Sequence, residues 1–106
     1  MGDESRFDSL RGTPATGYKR SFYVEGQLSA LAYDRGFSNR SWTAFQRNRP
    51  LYAARKFAAA LRTNGVGVPT NTPTATGDTP KGAHLLAAVN SPHLGKLIQL
   101  TNTPSD

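Results

Sequence analysis

The stretch Pro50-Leu51-Tyr52-Ala53-Ala54-Arg55-Lys56-Phe57-Ala58-Ala59-Ala60-Leu61-Arg62-Thr63-Asn64, closed by Gly65, is the most strongly patterned part of the chain. Leu51, Ala54, Phe57, Ala58 and Leu61 recur at helical spacing and form a single apolar stripe. Ala53, Ala59 and Ala60 are strong helix formers. Pro50 suits the first turn, where its missing N–H is not needed, and Asn48 is placed to cap. Gly65 can take the left-handed conformation at the other end, and Arg62 suits the macrodipole there. The pattern predicts a helix over 50–64.

The rest of the chain is read outward from this helix. Val66-Gly67-Val68-Pro69 reads as a short edge strand, since Pro69 has no donor. Residues 70–83 are rich in Thr, Pro and Gly and read as a long hairpin loop with Gly77-Asp78 near its tip. His84 to Val89 reads as the next strand, and Ser91-Pro92 opens a second helix with Leu94, Leu97, Ile98 and Thr101 on one face. Before the first helix, residues 36–47 form a loop anchored by Trp42 and two phenylalanines. Residues 21–25 and 28–33 read as strands around a turn at 25–27, and residues 1–20 read as irregular chain. The expected architecture is α+β: a small, mostly antiparallel sheet from 21–25, 28–33, 66–69 and 84–89, with the 50–64 helix on one face. Its expected core is Leu28, Leu31, Phe57, Leu61, Val66, Val68, Leu86 and Val89.

Composition narrows the function. The chain has 106 residues, 37% hydrophobic and 19% charged, which is one domain or a piece of one. It has no cysteine, so disulfides, thiolate catalysis and cysteine-based metal sites are excluded. No apolar run approaches the ~18 residues of a membrane span, and Met1-Gly2 leads into polar residues rather than a secretory signal. The net charge is +6 and unevenly placed. Between Arg35 and Gly77 there is no acid, but there are Arg35, Arg40, Arg47, Arg49, Arg55, Lys56 and Arg62. That run fits a nucleic-acid or membrane-surface patch, a solvated face, or a surface meeting an acidic partner domain.

Self-contained chemistry is hard to assemble from these residues. His84 and His93 have no third ligand beside them, so ordinary hydrogen-bonded or solvent-facing histidines are the better reading. No phosphate-loop motif occurs, and Asp3-Glu4 reads as a solvated pair. Neither G-x-S-x-G nor S-x-x-K is present, and K-T-G is absent although Lys81-Gly82 keeps two of its letters.

Residues 87–106, AAVNSPHLGKLIQLTNTPSD, resemble the approach to the S-x-N motif in peptidase family S13, the penicillin-binding protein 4 type of D-alanyl-D-alanine carboxypeptidase/endopeptidase. Members read like hSPPLxxLhxxTNxxSDN, with h apolar. The matches here are Ser91, Pro92, Leu94, Leu97, Thr101, Asn102, Ser105 and Asp106. Upstream, Gly2-Asp3-Glu4-Ser5-Arg6-Phe7-Asp8 is similar to the family's GDxSxFD. Leu28-Ser29-Ala30-Leu31 with Arg35-Gly36 is similar to its xLSALxxxRG, and Pro50 to Val66 is similar to the helix before its GV-V-G strand. The likeness is collinear; residues 9–24 and 37–49 lack a match.

The resemblance implies that the parent is a hydrolase of the cell wall, a serine-type D-Ala-D-Ala carboxypeptidase acting on peptidoglycan outside the cytoplasm through an acyl-enzyme. Residues 1–90 correspond to the C-terminal part of an inserted non-catalytic domain, and 91–106 to the return helix towards a transpeptidase-like catalytic domain. Ser105 is then the S-x-N serine that relays protons beside the nucleophile, and Asp106 the spacer. S-x-x-K and K-T-G are not in this chain, so a fragment inactive by itself is expected. No cofactor, metal, nucleic acid or membrane span belongs to this reading. The rest of the parent, or a second copy of the chain, is expected to cover the exposed apolar stripes. The rival reading is a small basic binding module for nucleic acid or another anionic polymer, without enzymatic activity.

Overall fold

The computed structural model describes residues 1–23 and 26–102. Two α-helices are present among them: α1, Arg49–Thr63, and α2, Leu94–Asn102. Two short 3-10 turns, Pro14–Thr16 and Asp34–Gly36, punctuate the N-terminal half.

The local signals at the ends of α1 all operate. The Asn48 side chain accepts from the Leu51 N–H at 3.0 Å, and Pro50 lies in the first turn. At the other end Gly65 takes φ +80°. Its N–H donates to the Arg62 carbonyl at 3.0 Å, and the Val66 N–H donates to the Leu61 carbonyl at 2.9 Å. These are the paired bonds of a Schellman motif. The helix docks by its N-terminal end: Arg49, Pro50 and Ala58 are buried, whereas Phe57 is exposed.

The expected sheet is not found among the described residues. Strand-like pairing is limited to three isolated bridges, Gly2 with Thr76, Ser21 with Gly26 and Phe37 with Phe45. Other partners take the backbone groups a ladder needs. The Leu31 N–H donates to its neighbour's hydroxyl, Ser29 Oγ, at 3.2 Å, a local bond that competes with a strand. The Gln27 N–H donates to the Arg35 carbonyl at 2.9 Å and the Leu28 N–H to the Arg11 carbonyl at 3.1 Å, which ties a loop rather than a hairpin. Beyond α1, the Arg62 guanidinium holds the Val68 and Pro69 carbonyls at 2.9 and 2.7 Å. Segment 66–69 is thereby folded back onto the helix end. Glu25, the first residue of the expected turn at 25–27, lies outside the described residues.

The 70–83 loop does not form a hairpin tip; it clasps the N-terminus. The Gly2 N–H donates to the Ala75 carbonyl at 2.8 Å, and the Gly77 N–H donates to the Gly2 carbonyl at 3.2 Å. Gly2 is required there, because a Cβ would lie 2.1 Å from the Pro50 carbonyl oxygen. The Asp3 carboxylate accepts from both the N–H and the hydroxyl of Ser5 and of Thr79. These four bonds to the ionised form, the Ser5 hydroxyl first among them, hold the Asp3 carboxyl far below the usual carboxylate range.

The core is not the expected aliphatic one. Leu28, Phe57, Val66, Leu86 and Val89 are exposed, and Leu31, Leu61 and Val68 are half-buried. The interior is instead built on Phe37, fully buried, with Ala58, Gln27, Gln46 and Arg49. Gln46 organises it: its Nε2 donates to the Tyr33 carbonyl at 2.8 Å and to the Phe37 carbonyl at 2.7 Å. The reason is topological. The apolar runs at 28–33 and 84–89 need a sheet to pair into before they can face one interior, and none is found among the described residues.

Candidate functional site

The sequence places the site at Ser105 and Asp106, and both lie outside the described residues. What is described is the helix that leads to them. α2 starts at Leu94, two residues after the proline expected to open it, and its first turn is tied by Lys96, whose N–H donates to the His93 carbonyl at 2.9 Å. Leu94, Leu97, Ile98 and Leu100 are all exposed, and so is every described residue from Lys81 to Asn102. The helix therefore presents an aliphatic face that no described residue covers.

A second feature lies at the start of α1. Glu4 Oε1 faces Arg11 Nη2 at 3.4 Å and Arg49 Nη2 at 3.6 Å, and Glu4 Oε2 accepts from Ser29 Oγ at 2.6 Å. Gln27 completes the node: its side-chain oxygen accepts from Arg49 Nη1 at 2.6 Å, and its nitrogen donates to the Gln46 carbonyl at 3.3 Å. Burial pushes the Arg49 guanidinium below its ordinary value, the Arg11 charge adds to the push, and Glu4 opposes it. A cleft of about 420 Å³ opens beside the node, where Arg11, Arg47 and Arg49 face Glu4, Asp8 and Asp78. Its charges compensate one another. Ser29 and Glu4 are a hydroxyl and a carboxylate in contact, but that carboxylate is already engaged by two guanidiniums, so the contact is an anchor and not a nucleophile with its base.

The Asp3-Glu4 pair, expected to be solvated, is thus split into two structural roles: Asp3 holds the 75–79 clasp, and Glu4 holds Arg11, Arg49 and Ser29 together. One local signal for Asp3 was present, namely a hydroxyl two residues on, which is the Asx-turn arrangement. No local signal exists for Glu4, whose partners lie 7, 25 and 45 residues away.

The third feature is a layer of aromatic rings and cations. Phe22 and Phe45 lie 4.3 Å apart, Phe37 and Phe45 4.8 Å, and Phe37 and Trp42 6.2 Å. Arg20 lies over Phe45 at 5.0 Å, and Arg35 over Trp42 at 5.3 Å. Lys56 sits over both Tyr33 and Tyr52, at 5.6 and 5.4 Å. The expected aromatic anchoring of 36–47 is present, and the structure adds how it is held. Asn39 Oδ1 accepts from the Thr43 N–H at 3.1 Å, and Asn39 Nδ2 donates to Thr43 Oγ1 at 2.7 Å. The Ser38 N–H donates to the Ala44 carbonyl at 2.9 Å. Inside this braced loop Trp42 has φ +54°, a left-handed conformation that costs about 1–3 kcal/mol for a bulky residue.

Among the described residues no three His, Asp or Glu side chains are grouped to hold a metal ion. His93 turns inward to the helix start, where the Lys96 N–H reaches its Nδ1 at 3.3 Å. No helix among the described residues is long and apolar enough to cross a membrane. The chain matches no family model, and no curated protein or solved structure matches it.

Proposed function

We propose that this chain is part of a serine-type D-alanyl-D-alanine carboxypeptidase of the penicillin-binding protein 4 type, and that it scaffolds a reaction centre completed by other parts of the parent. The observation that carries this reading is the amount of uncovered surface. The chain exposes 8582 Å², against about 5,800 Å² for a folded monomer of its mass. Its radius of gyration is 15.9 Å, against about 13 Å for a compact chain of this length. Every described residue of 81–102, the segment whose sequence is similar to the approach to S-x-N, is exposed, and the apolar residues of α2 are ordered along one face.

In this reading α2 packs its Leu94, Leu97 and Ile98 face against the transpeptidase-like domain and delivers Ser105 beside the nucleophile, with Asp106 as spacer. Segments 66–69 and 84–89, which have no strand partner among the described residues, join a sheet that the parent completes. Residues 1–90 belong to the inserted domain. The parent works on peptidoglycan outside the cytoplasm, and the nucleophile, its lysine base and the substrate-binding strand come from S-x-x-K and K-T-G elsewhere in it.

The test is acylation by labelled penicillin. The 106-residue chain should stay unlabelled, and the longer polypeptide encoded around it should label at a serine outside this segment. Labelling of the 106 residues alone, or a surrounding reading frame without S-x-x-K and K-T-G, refutes the proposal.

The second reading, a basic module for an anionic polymer, has its own observation: the acid-free run from 35 to 77 places Arg40, Arg47, Arg55 and Lys56 at the surface. Affinity for DNA or RNA that falls steeply with salt would favour it.

A further inference from the structure

We propose that the face displaying Trp42 is a carbohydrate-binding site, a slot that stacks one pyranose ring of an oligosaccharide. The slot is lined by Phe22, Tyr23, Ser41, Trp42 and Thr43 and encloses about 480 Å³, within the range of small-ligand sites. Phe22 and Trp42 are each about half exposed, and Tyr23 is 95% exposed. A sugar ring has two kinds of surface: its axial C–H groups form an apolar face, and its hydroxyls form a polar edge. The C–H face is attracted to the electron-rich face of an aromatic ring. The slot offers both complements, three rings for the face and the hydroxyls of Ser41, Thr43 and Tyr23 for the edge.

Three observations distinguish this surface from the uncovered face of α2. The α2 face is aliphatic, as expected of a surface that meets another protein layer. The slot has no aliphatic lining residue among the described residues; its rings alternate with hydroxyls. Second, the slot is built rather than left over. Asn39, Ser38, Thr43 and Ala44 close a ring of hydrogen bonds that holds Trp42 at φ +54°, and this strain is spent on turning an indole outward. Third, the occupant favoured is an uncharged ring rather than a nucleotide. Arg20 and Arg35 are laid over the faces of Phe45, Phe37 and Trp42, and among the described residues no lysine or arginine lines the slot to receive a phosphate. The inference needs nothing from the carboxypeptidase reading, and each can fail without the other.

Trp42 is the single tryptophan of the chain, so its fluorescence reports on this slot alone. The 106-residue chain is titrated with N,N′,N″-triacetylchitotriose, with cellotriose and with a ten-residue oligothymidylate. A saturable change in Trp42 emission is expected with at least one trisaccharide. Tyr23→Ala should weaken that binding about two- to tenfold, the loss of one ring contact. Since Tyr23 is almost wholly in solvent, the variant keeps its fold, verified by an unchanged circular dichroism spectrum. The proposal is overturned if neither sugar gives a saturable change, or if Tyr23→Ala binds as tightly as the parent chain. It is equally overturned if only oligothymidylate saturates the signal, which would make the face a nucleic-acid platform.

Discussion

Replacing Glu4 by Gln removes one charge from the polar node while keeping its shape. The Gln side-chain oxygen can still accept from Ser29 Oγ, so the perturbation isolates the two guanidinium contacts. Unit charges about 3.5 Å apart attract by about 5 kcal/mol at an effective dielectric of about 20. Solvent removes most of that for Arg11, whose side chain is 22% exposed, leaving under about 1 kcal/mol. Arg49 is different, because its side chain is 11% exposed and its Nε has no hydrogen-bond partner among the described residues. Without Glu4 its charge is left in the interior with Gln27 accepting from one nitrogen. Breaking one side of a buried pair costs about 3–5 kcal/mol, and the 3.6 Å separation and partly wetted carboxylate reduce this to about 2. In a chain of this size the melting temperature then falls by about 8–15 °C. Urea unfolding followed by near-ultraviolet circular dichroism of the aromatic layer measures it, with the slope unchanged. Adding Arg49→Met to Glu4→Gln should return part of the loss, since it removes the stranded charge. A Glu4→Gln midpoint within about 0.5 kcal/mol of the parent chain, or a double variant less stable than Glu4→Gln alone, refutes the assignment of Glu4 as the partner of a buried cation.

Gln46→Leu should destabilise by about 2–3 kcal/mol in the same assay, because it strands the Tyr33 and Phe37 carbonyls that Nε2 now satisfies. Gly2→Ala should open the clasp with 75–79, since the new Cβ has no room beside the Pro50 carbonyl; faster hydrogen exchange at the Gly77 amide, which Gly2 protects, reads this out. The folded-state pKa of Asp3 is depressed, so the clasp's contribution is complete above the unfolded value of about 3.9 and is lost as pH falls below it towards the folded value; the Thr79 amide shift in an NMR titration should accordingly hold constant from pH 7 to 5. Leu94→Glu with Leu97→Glu should leave the stability of the 106-residue chain within about 0.5 kcal/mol, both side chains being exposed, yet should abolish penicillin labelling of the longer polypeptide.

The parts of this fold that local chemistry decides were legible in the sequence. Asn48, Pro50, Arg62 and Gly65 mark the two ends of α1 within a residue, because caps and a Schellman closure depend only on near neighbours. The aromatic anchoring of 36–47 was equally readable, since Phe37 and Phe45 leave water by packing on neighbouring rings within the same short loop. The sheet was not, because a strand needs a partner as well as a composition. Ser29 shows the failure in one residue: it sits in a run read as a strand, but its hydroxyl takes the Leu31 N–H and gives its own proton to Glu4. The core list failed for a related reason. Aliphatic runs at 84–89 have the residues of an interior but no surface to make one with, whereas Gln27, Gln46 and Arg49 become interior by satisfying carbonyls and a carboxylate that no pattern brings together. Ser105 and Asp106 were read through resemblance, and they lie outside the described residues.

The composition of that interior bears on what the chain is built to do. A core of one phenylalanine, one alanine, one proline and three polar side chains buries little apolar area, so it supplies little of the hydrophobic stabilisation on which a domain of this size depends. Its hydrogen bonds are directional, however, and they fix registers that packing alone leaves loose: Gln46 sets Tyr33 against Phe37, and Glu4 sets Arg11 and Arg49 against Ser29. Such an interior holds a shape better than it resists unfolding. Exposed apolar side chains line α2 and 84–89, and others, such as Phe7, Phe57 and Val66, lie in the first two thirds of the chain. The first half thus fixes its own registers by hydrogen bonds, whereas every described residue of 81–102 is exposed. That division is what a scaffold requires if it is to present a helix to a neighbouring domain, and it ties the fold of the first half to the proposed role of the second.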